Sequence, residues 1–211
     1  MARNGAPDKR RMILDAAVRV FARQGFHTCR VSDIAYEAQV AYGLVYHYFG
    51  SKDEVLDTLF VERWDILLDA IEAIDTGQDV PARDKLYMVA SFIVDSYRHD
   101  PELMKVIIVE VTRAANSFGR THLAKIGEAY GLIADIVRKA QNAGEFSDTV
   151  TPQFAAMAFY GAIEQVLTGW IFGLLDQGDA DYERAKRFIV GTICDGLAAH
   201  TSESSASLPR P

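Results

Sequence analysis

Apolar residues recur along most of this chain at the three- and four-residue spacing of an α-helix. Ile13, Ala16, Ala17, Val20 and Phe21 make one such stripe, and Gly25 stands where a left-handed cap would end it. A short stripe follows through Val31, Ile34, Ala35 and Ala38. After Val40 comes a second short one through Val45, Tyr48 and Phe49, closed by Gly50. Ser51 followed by Glu54 reads as a capping box that opens a long helix to about Ile74. Pro81 suits the first turn of a fifth helix ending near His99. Asp100-Pro101 punctuates before a sixth helix carrying Leu103, Val106, Ile107 and Glu110. A seventh spans about Arg120 to Ala143, closed by Gly144. Thr151-Pro152 starts an eighth helix running to about Leu175, and a ninth runs from about Tyr182 to His200. The Ser-rich segment 201–211 has no apolar stripe and is expected to be a disordered tail. No alternating strand pattern bounded by turn residues occurs, so the expected fold is all-α with about nine helices.

Two of these helices carry the most information. The stretch from Val31 to Phe49 packs two helices of about two turns each around a link too short for an ordinary loop. Neither would be stable alone. Both must pack steeply on the first helix, with Ile34, Ala35, Val40, Val45 and Phe49 inward. That is helix-turn-helix geometry, in which the second helix enters the DNA major groove. The expected organisation is a three-helix DNA-binding head over residues 1–54, a larger helical body over 55–200, and the tail.

Charge sharpens this picture. The chain has a net charge of −7, yet residues 1–50 carry seven basic and four acidic residues, so the rest holds the whole negative excess. A basic head on an acidic body suits a polyanionic partner for the head. The length of 211 residues allows a sizeable core. No run reaches the ~18 apolar residues of a membrane helix, and Met1 to Arg10 contains no apolar stretch of a signal peptide. The expected compartment is the cytoplasm, with no membrane partner. Cys29 and Cys194 make neither a metal-ligand spacing nor a disulfide framework; they read as reduced thiols, a redox sensor being the alternative. No nucleophile elbow, metalloprotease helix or phosphate loop is present, and the five histidines show no i, i+4 pairing. No catalytic residue, metal site or enzymatic activity is therefore expected.

The head resembles the TetR family of bacterial repressors. The resemblance lies in Phe21 to Phe26, Val31 to Val40, Gly43 to Phe49, and Ser51-Lys52-Asp53-Glu54-Val55-Leu56, about 50 of the 211 residues. Three positions depart from the family pattern. Cys29-Arg30 replaces the usual Thr or Ser before the second helix, which shifts the cap towards Ser32. Gln39 replaces the turn glycine, at a cost of about 1 kcal/mol if left-handed. Ala41 replaces a capping serine. The resemblance implies a homodimer through the last two helices, bound to pseudo-palindromic operator DNA and released by a small-molecule effector. Candidate DNA-binding residues are Arg30, Ser32, Ala41, Tyr42, Gly43, Leu44, Tyr46, His47 and Lys52. Of these, Tyr42 and Leu44 are expected on the exposed side of the helix that enters the groove, where Leu44 would meet a thymine methyl; Tyr46 and His47 would reach phosphates, and Lys52 would add a cationic phosphate contact. Arg3, Lys9, Arg10 and Arg11 form a basic arm that either touches DNA or is merely solvated. Tyr48 reads as core packing.

Two further segments, Val109 to Asn116 and Gly161 to Val166 leading to Gly169-Trp170, resemble the fatty-acid-degradation repressors of the family. That resemblance implies long-chain acyl-CoA as effector rather than a cofactor. Arg113 and Asn116 would hold the CoA part, and Phe92, Ile107, Val111, Tyr130 and Phe159 would line an acyl tunnel. The alternative is a drug-like effector controlling an efflux or detoxification gene.

Overall fold

The computed structural model describes residues 8–77, 79–110 and 120–197. Val111, Arg113, Asn116, Arg3 and the segment 201–211 lie outside the described residues. Among those described the fold is all-α: α1 (Lys9–Gln24), α2 (Val31–Glu37), α3 (Tyr42–Tyr48), α4 (Lys52–Asp75), α5 (Ala82–His99), α6 (Pro101–Lys105), α7 (Arg120–Asn142), α8 (Pro152–Ile171) and α9 (Asp179–Leu197). A single π-helical turn, Val106–Glu110, continues α6. None of these helices is long and apolar enough to cross a membrane.

Local chemistry accounts for most helix ends. Asp8 caps α1 by accepting the Arg10 N–H at 3.0 Å. At the other end Gly25 takes φ +80 and ψ 149, a region open essentially to glycine and different from the left-handed cap expected. The cap of α2 is not Ser32: the Asp33 carboxylate reaches back to accept the Arg30 N–H at 2.8 Å. Gln39 does adopt φ +54, and Ala41 caps α3 without any side-chain acceptor. Ser51 accepts the Glu54 N–H at 3.1 Å, while Glu54 reaches past it to the Gly50 N–H at 2.7 Å. Pro81 stands just before α5 rather than inside it. Helix α8 stops at Ile171, four residues earlier than its apolar run suggests. Gly173, at φ +65, lets the Leu174 N–H reach the Gly169 carbonyl (2.8 Å) and its own N–H reach Trp170 (3.1 Å), a Schellman ending.

The strained turn yields a prediction. Gln39→Gly is expected to stabilise the head by about 0.5–1 kcal/mol, because glycine adopts positive φ without steric cost. Slower amide exchange in α2 and α3 would register the gain. Faster exchange would show that the glutamine side chain contributes more than the backbone strain removes.

Two apolar cores meet inside α4. Val55, Leu56 and Leu59 pack with Phe21, Ile34, Val45 and Phe49 in the head. From Phe60 onward the same helix belongs to the body, packed with α5, α7, α8 and α9. The change of core thus falls between Leu59 and Phe60, a little beyond the boundary the pattern suggested. Helix α6 and its π turn bridge the cores. Val106 is buried in the head core, Met104 and Ile107 in the body core, and the Lys105 ammonium donates to the Ala22 carbonyl at the end of α1 (2.9 Å).

Candidate DNA-binding surface and effector cavity

Helix α3 sits on the outside of the head because only Val45 within it is buried. Its outward side carries Tyr42, Gly43, Tyr46 and His47, with Ala41 just before it. The Tyr42 and Tyr46 hydroxyls lie 3.2 Å apart, their rings meeting edge-on at 5.2 Å. That hydrogen bond raises the Tyr46 phenol above its ordinary value. Tyr48 is exposed rather than part of the core, its ring 5.2 Å from His47. Leu44, by contrast, is half-buried, so folding supplies part of the reason for an apolar residue there. Gly43 is instructive. A Cβ at this position would meet nothing within 4 Å, so the head gains no packing from a glycine that weakens the helix by about 1 kcal/mol.

The cations of the head are arranged differently from expectation. Lys52 is half-buried, and its ammonium donates to the carbonyls of Phe26 (2.5 Å) and Cys29 (2.9 Å) while lying 4.5 Å over the Phe26 ring. It ties α4 to the α1–α2 turn, a structural role that its place after Ser51 did not suggest. Arg10 and Arg11 of the basic arm reach Glu62 on α4, at 2.8 and 3.4 Å. Arg19 and Arg23 hold Glu37, at 2.8 and 3.1 Å, and their hydrogen bonds keep that carboxyl below its usual range. Of the described arginines in the head, Arg30 alone stands outside these pairs; it is exposed beside the exposed Ser32. Tyr36 is 87% exposed on α2 and was not foreseen. The signal was present: it falls between the apolar positions Ile34, Ala35 and Ala38, where a large aromatic has no place in the core.

Behind the head, the body contains a small cavity of about 80 Å³ between α4, the π turn, α7 and α8. Ile107 and Tyr130 line it, together with Trp64, Ile126, Tyr160 and Glu164. Burial is the largest influence on the Glu164 carboxyl and holds it above its ordinary value; it also raises the Tyr130 and Tyr160 phenols. A constriction of about 20 Å³ shares Trp64, Ile107 and Tyr160 with this cavity and adds Arg63 and Met104. Phe92 lines an open cleft of about 510 Å³ further out. Phe159 borders none of these spaces; it is 1% exposed in the solid core. The neighbouring Tyr160 faces the cavity instead. The inner space is well below the ~300–1,000 Å³ of typical ligand sites, so an acyl chain requires the surrounding helices to part.

The outer faces of α8 and α9 expose Phe154 (64%), Met157 and Phe188 (71%). Ala158 and Gln165 are also outward, Ala162, Val166 and Ile193 half-buried. Gly169, Ile189 and Leu197 turn inward, and Gly169 lies against Leu175. Both cysteines are buried; Cys29 donates to the Phe26 carbonyl, and burial pushes the Cys194 thiol up to about 11.

Comparison with known proteins agrees with this architecture. Residues 13–59 match the family model described as bacterial regulatory proteins, tetR family, and residues 60–184 match that of the YsiA-like protein, C-terminal region. The fatty acid metabolism regulator protein of Bacillus subtilis is 32% identical over 160 residues, covering 75% of this chain and 81% of that one. Among solved structures, the fatty acid degradation regulator FadR from Bacillus halodurans superposes with a TM-score of 0.80 at 24% identity, over 94% of this chain and all of the other. FadR from Bacillus subtilis in complex with stearoyl-CoA gives 0.78 at 24% identity, over 89% and 98%. The chain belongs to the tetR family of bacterial transcriptional regulators.

Proposed function

We propose that this protein is a cytoplasmic, dimeric repressor that leaves its operator when a long-chain acyl-CoA enters the body, and that it controls genes of fatty-acid metabolism. The observation that carries this reading is the shared wall between cavity and head. Met104 and Ile107 border the inner spaces, while Val106, one residue from Ile107, belongs to the core of the head. An acyl chain that parts the cavity wall must move the element on which α1 rests. The ligand-bound body then favours a head orientation that no longer fits two successive major grooves. The similarity to a fatty acid metabolism regulator across three quarters of the chain supports acyl-CoA over a drug-like effector.

In the DNA-bound state α3 occupies the major groove. Gly43 allows the DNA to approach the helix closely, since nothing inside the protein requires a glycine there. Tyr42, Tyr46 and His47 form the outer contact surface, Leu44 adds its exposed part, and Arg30 and Ser32 reach the phosphate backbone. The last two helices pair across a two-fold axis through Phe154, Met157 and Phe188, a set too apolar to leave in water.

Palmitoyl- or oleoyl-CoA at micromolar concentration is expected to release operator DNA in a mobility-shift titration, whereas CoA alone is not. Release by no acyl-CoA of any length would move the assignment to the drug-like effector class.

A further inference from the structure

We infer that the open cleft at the junction of head and body receives the anionic end of the effector, with Arg63 as its counter-charge and Arg11 recruited from the head. This rests on the acyl-CoA reading above and adds the direction in which the effector lies and the residue that fixes it.

Arg63 and Met104 border both the cleft of about 510 Å³ and the constriction behind it. Trp64, Ile107 and Tyr160 border both that constriction and the inner cavity. The three spaces therefore adjoin one another in that order. The Arg63 guanidinium lies 5.4 Å over the Phe92 ring and makes no salt bridge with any described carboxylate. It is half-buried, and desolvation outweighs the influence of Tyr160 and Asp100 and holds it below its ordinary value, so an anion beside it would relieve an existing cost. At the far end of the series stands the Glu164 carboxyl. An amphiphile with an anionic head and an apolar tail thus fits in one direction only, head outward.

Asp95, Asp100 and Arg11 also line the cleft. Asp95 binds the Lys186 ammonium at 2.7 Å, and Asp100 accepts the Leu103 N–H at 3.0 Å as the cap of α6. Arg11 pairs with Asp15 at 2.8 Å and, more loosely, with Glu62 at 3.4 Å. An anion in the cleft competes with Glu62 for Arg11. It therefore loosens a contact between α1 and α4 as the tail enters, which couples recognition of the headgroup to release of the head.

The test compares wild type with Arg63→Gln and Arg63→Lys in operator-release titrations using palmitoyl-CoA, palmitate and the uncharged S-palmitoyl-pantetheine. Thermal melting checks that each variant is folded. The expected result is that Arg63→Gln raises the palmitoyl-CoA concentration for half-release by roughly ten- to a hundredfold, the scale of a lost charge-assisted contact. Arg63→Lys should fall between, and S-palmitoyl-pantetheine should shift less than about twofold. The same Arg63 dependence with palmitate would support the site with a carboxylate as the anion. Equal shifts for charged and uncharged ligands, or no shift for either, would overturn it while leaving the acyl-CoA reading intact. A wild type released by none of the three would overturn both.

Discussion

Phe188→Asp is expected to convert the protein to a monomer and to weaken operator binding by about a hundredfold or more, the scale of avidity lost when two linked sites act singly. Phe188 is 71% exposed, so a folded monomer loses almost no packing when it is replaced. Like Phe154 and Met157, it is a large apolar side chain of the last two helices left exposed, which water solvates poorly. A two-fold axis repeats the substitution on both copies, so each dimer would bury two new carboxylates in an apolar contact. One head alone contacts one half-site, with no second head held nearby. Sedimentation at micromolar concentration reads the assembly, and anisotropy with labelled operator reads the binding. A variant that remains dimeric and binds like wild type would place the interface elsewhere.

Lys52→Ala and Arg30→Ala are expected to damage operator binding in opposite ways. Lys52 satisfies two carbonyls of the α1–α2 turn and lies over Phe26. Its loss should destabilise the head by about 2–3 kcal/mol. Hydrogen exchange would then accelerate through α2, which packs on the same turn. The dependence of binding on salt should keep its slope, because no phosphate contact has gone. The Arg30 guanidinium makes no ion pair with a carboxylate among the described residues, and the Arg30 N–H that Asp33 accepts survives truncation, so Arg30→Ala should leave exchange unchanged and lower the salt slope by about one. If Lys52→Ala instead lowers the slope and leaves exchange unaltered, Lys52 binds phosphate and the tie contributes little.

The contrast between these two cations shows what sequence can carry. The helices of the head were legible because apolar spacing, Ser51 and Gly25 act within a few residues of themselves. The position of Lys52 after Ser51 was equally plain, but its use was not. Its carbonyl partners lie 23 and 26 residues away, and their direction is set by how the α1–α2 turn folds. The pairing of Arg10 and Arg11 was hidden for the same reason, since Glu62 lies about fifty residues from them. The end of α8 was hidden because Phe172, Leu174 and Leu175 prolong the apolar run, while the feature that stops the helix is the backbone at Gly173. The cavity was the least legible part. Phe159 and Tyr160 are adjacent and both apolar in pattern, and only packing decides which borders the void. Trp64 and Arg63, on the helix shared with the head, carried no local sign of facing it.

The central claim is that operator and acyl-CoA favour different states of one protein, and reciprocity tests it most directly. Palmitoyl-CoA affinity is measured by calorimetry with the protein alone and with the protein saturated by operator DNA. The account predicts that operator weakens palmitoyl-CoA binding by the same factor by which saturating palmitoyl-CoA weakens operator binding, within the usual fivefold to 150-fold range of such couplings. Palmitoyl-CoA affinity that is unchanged by operator would contradict it.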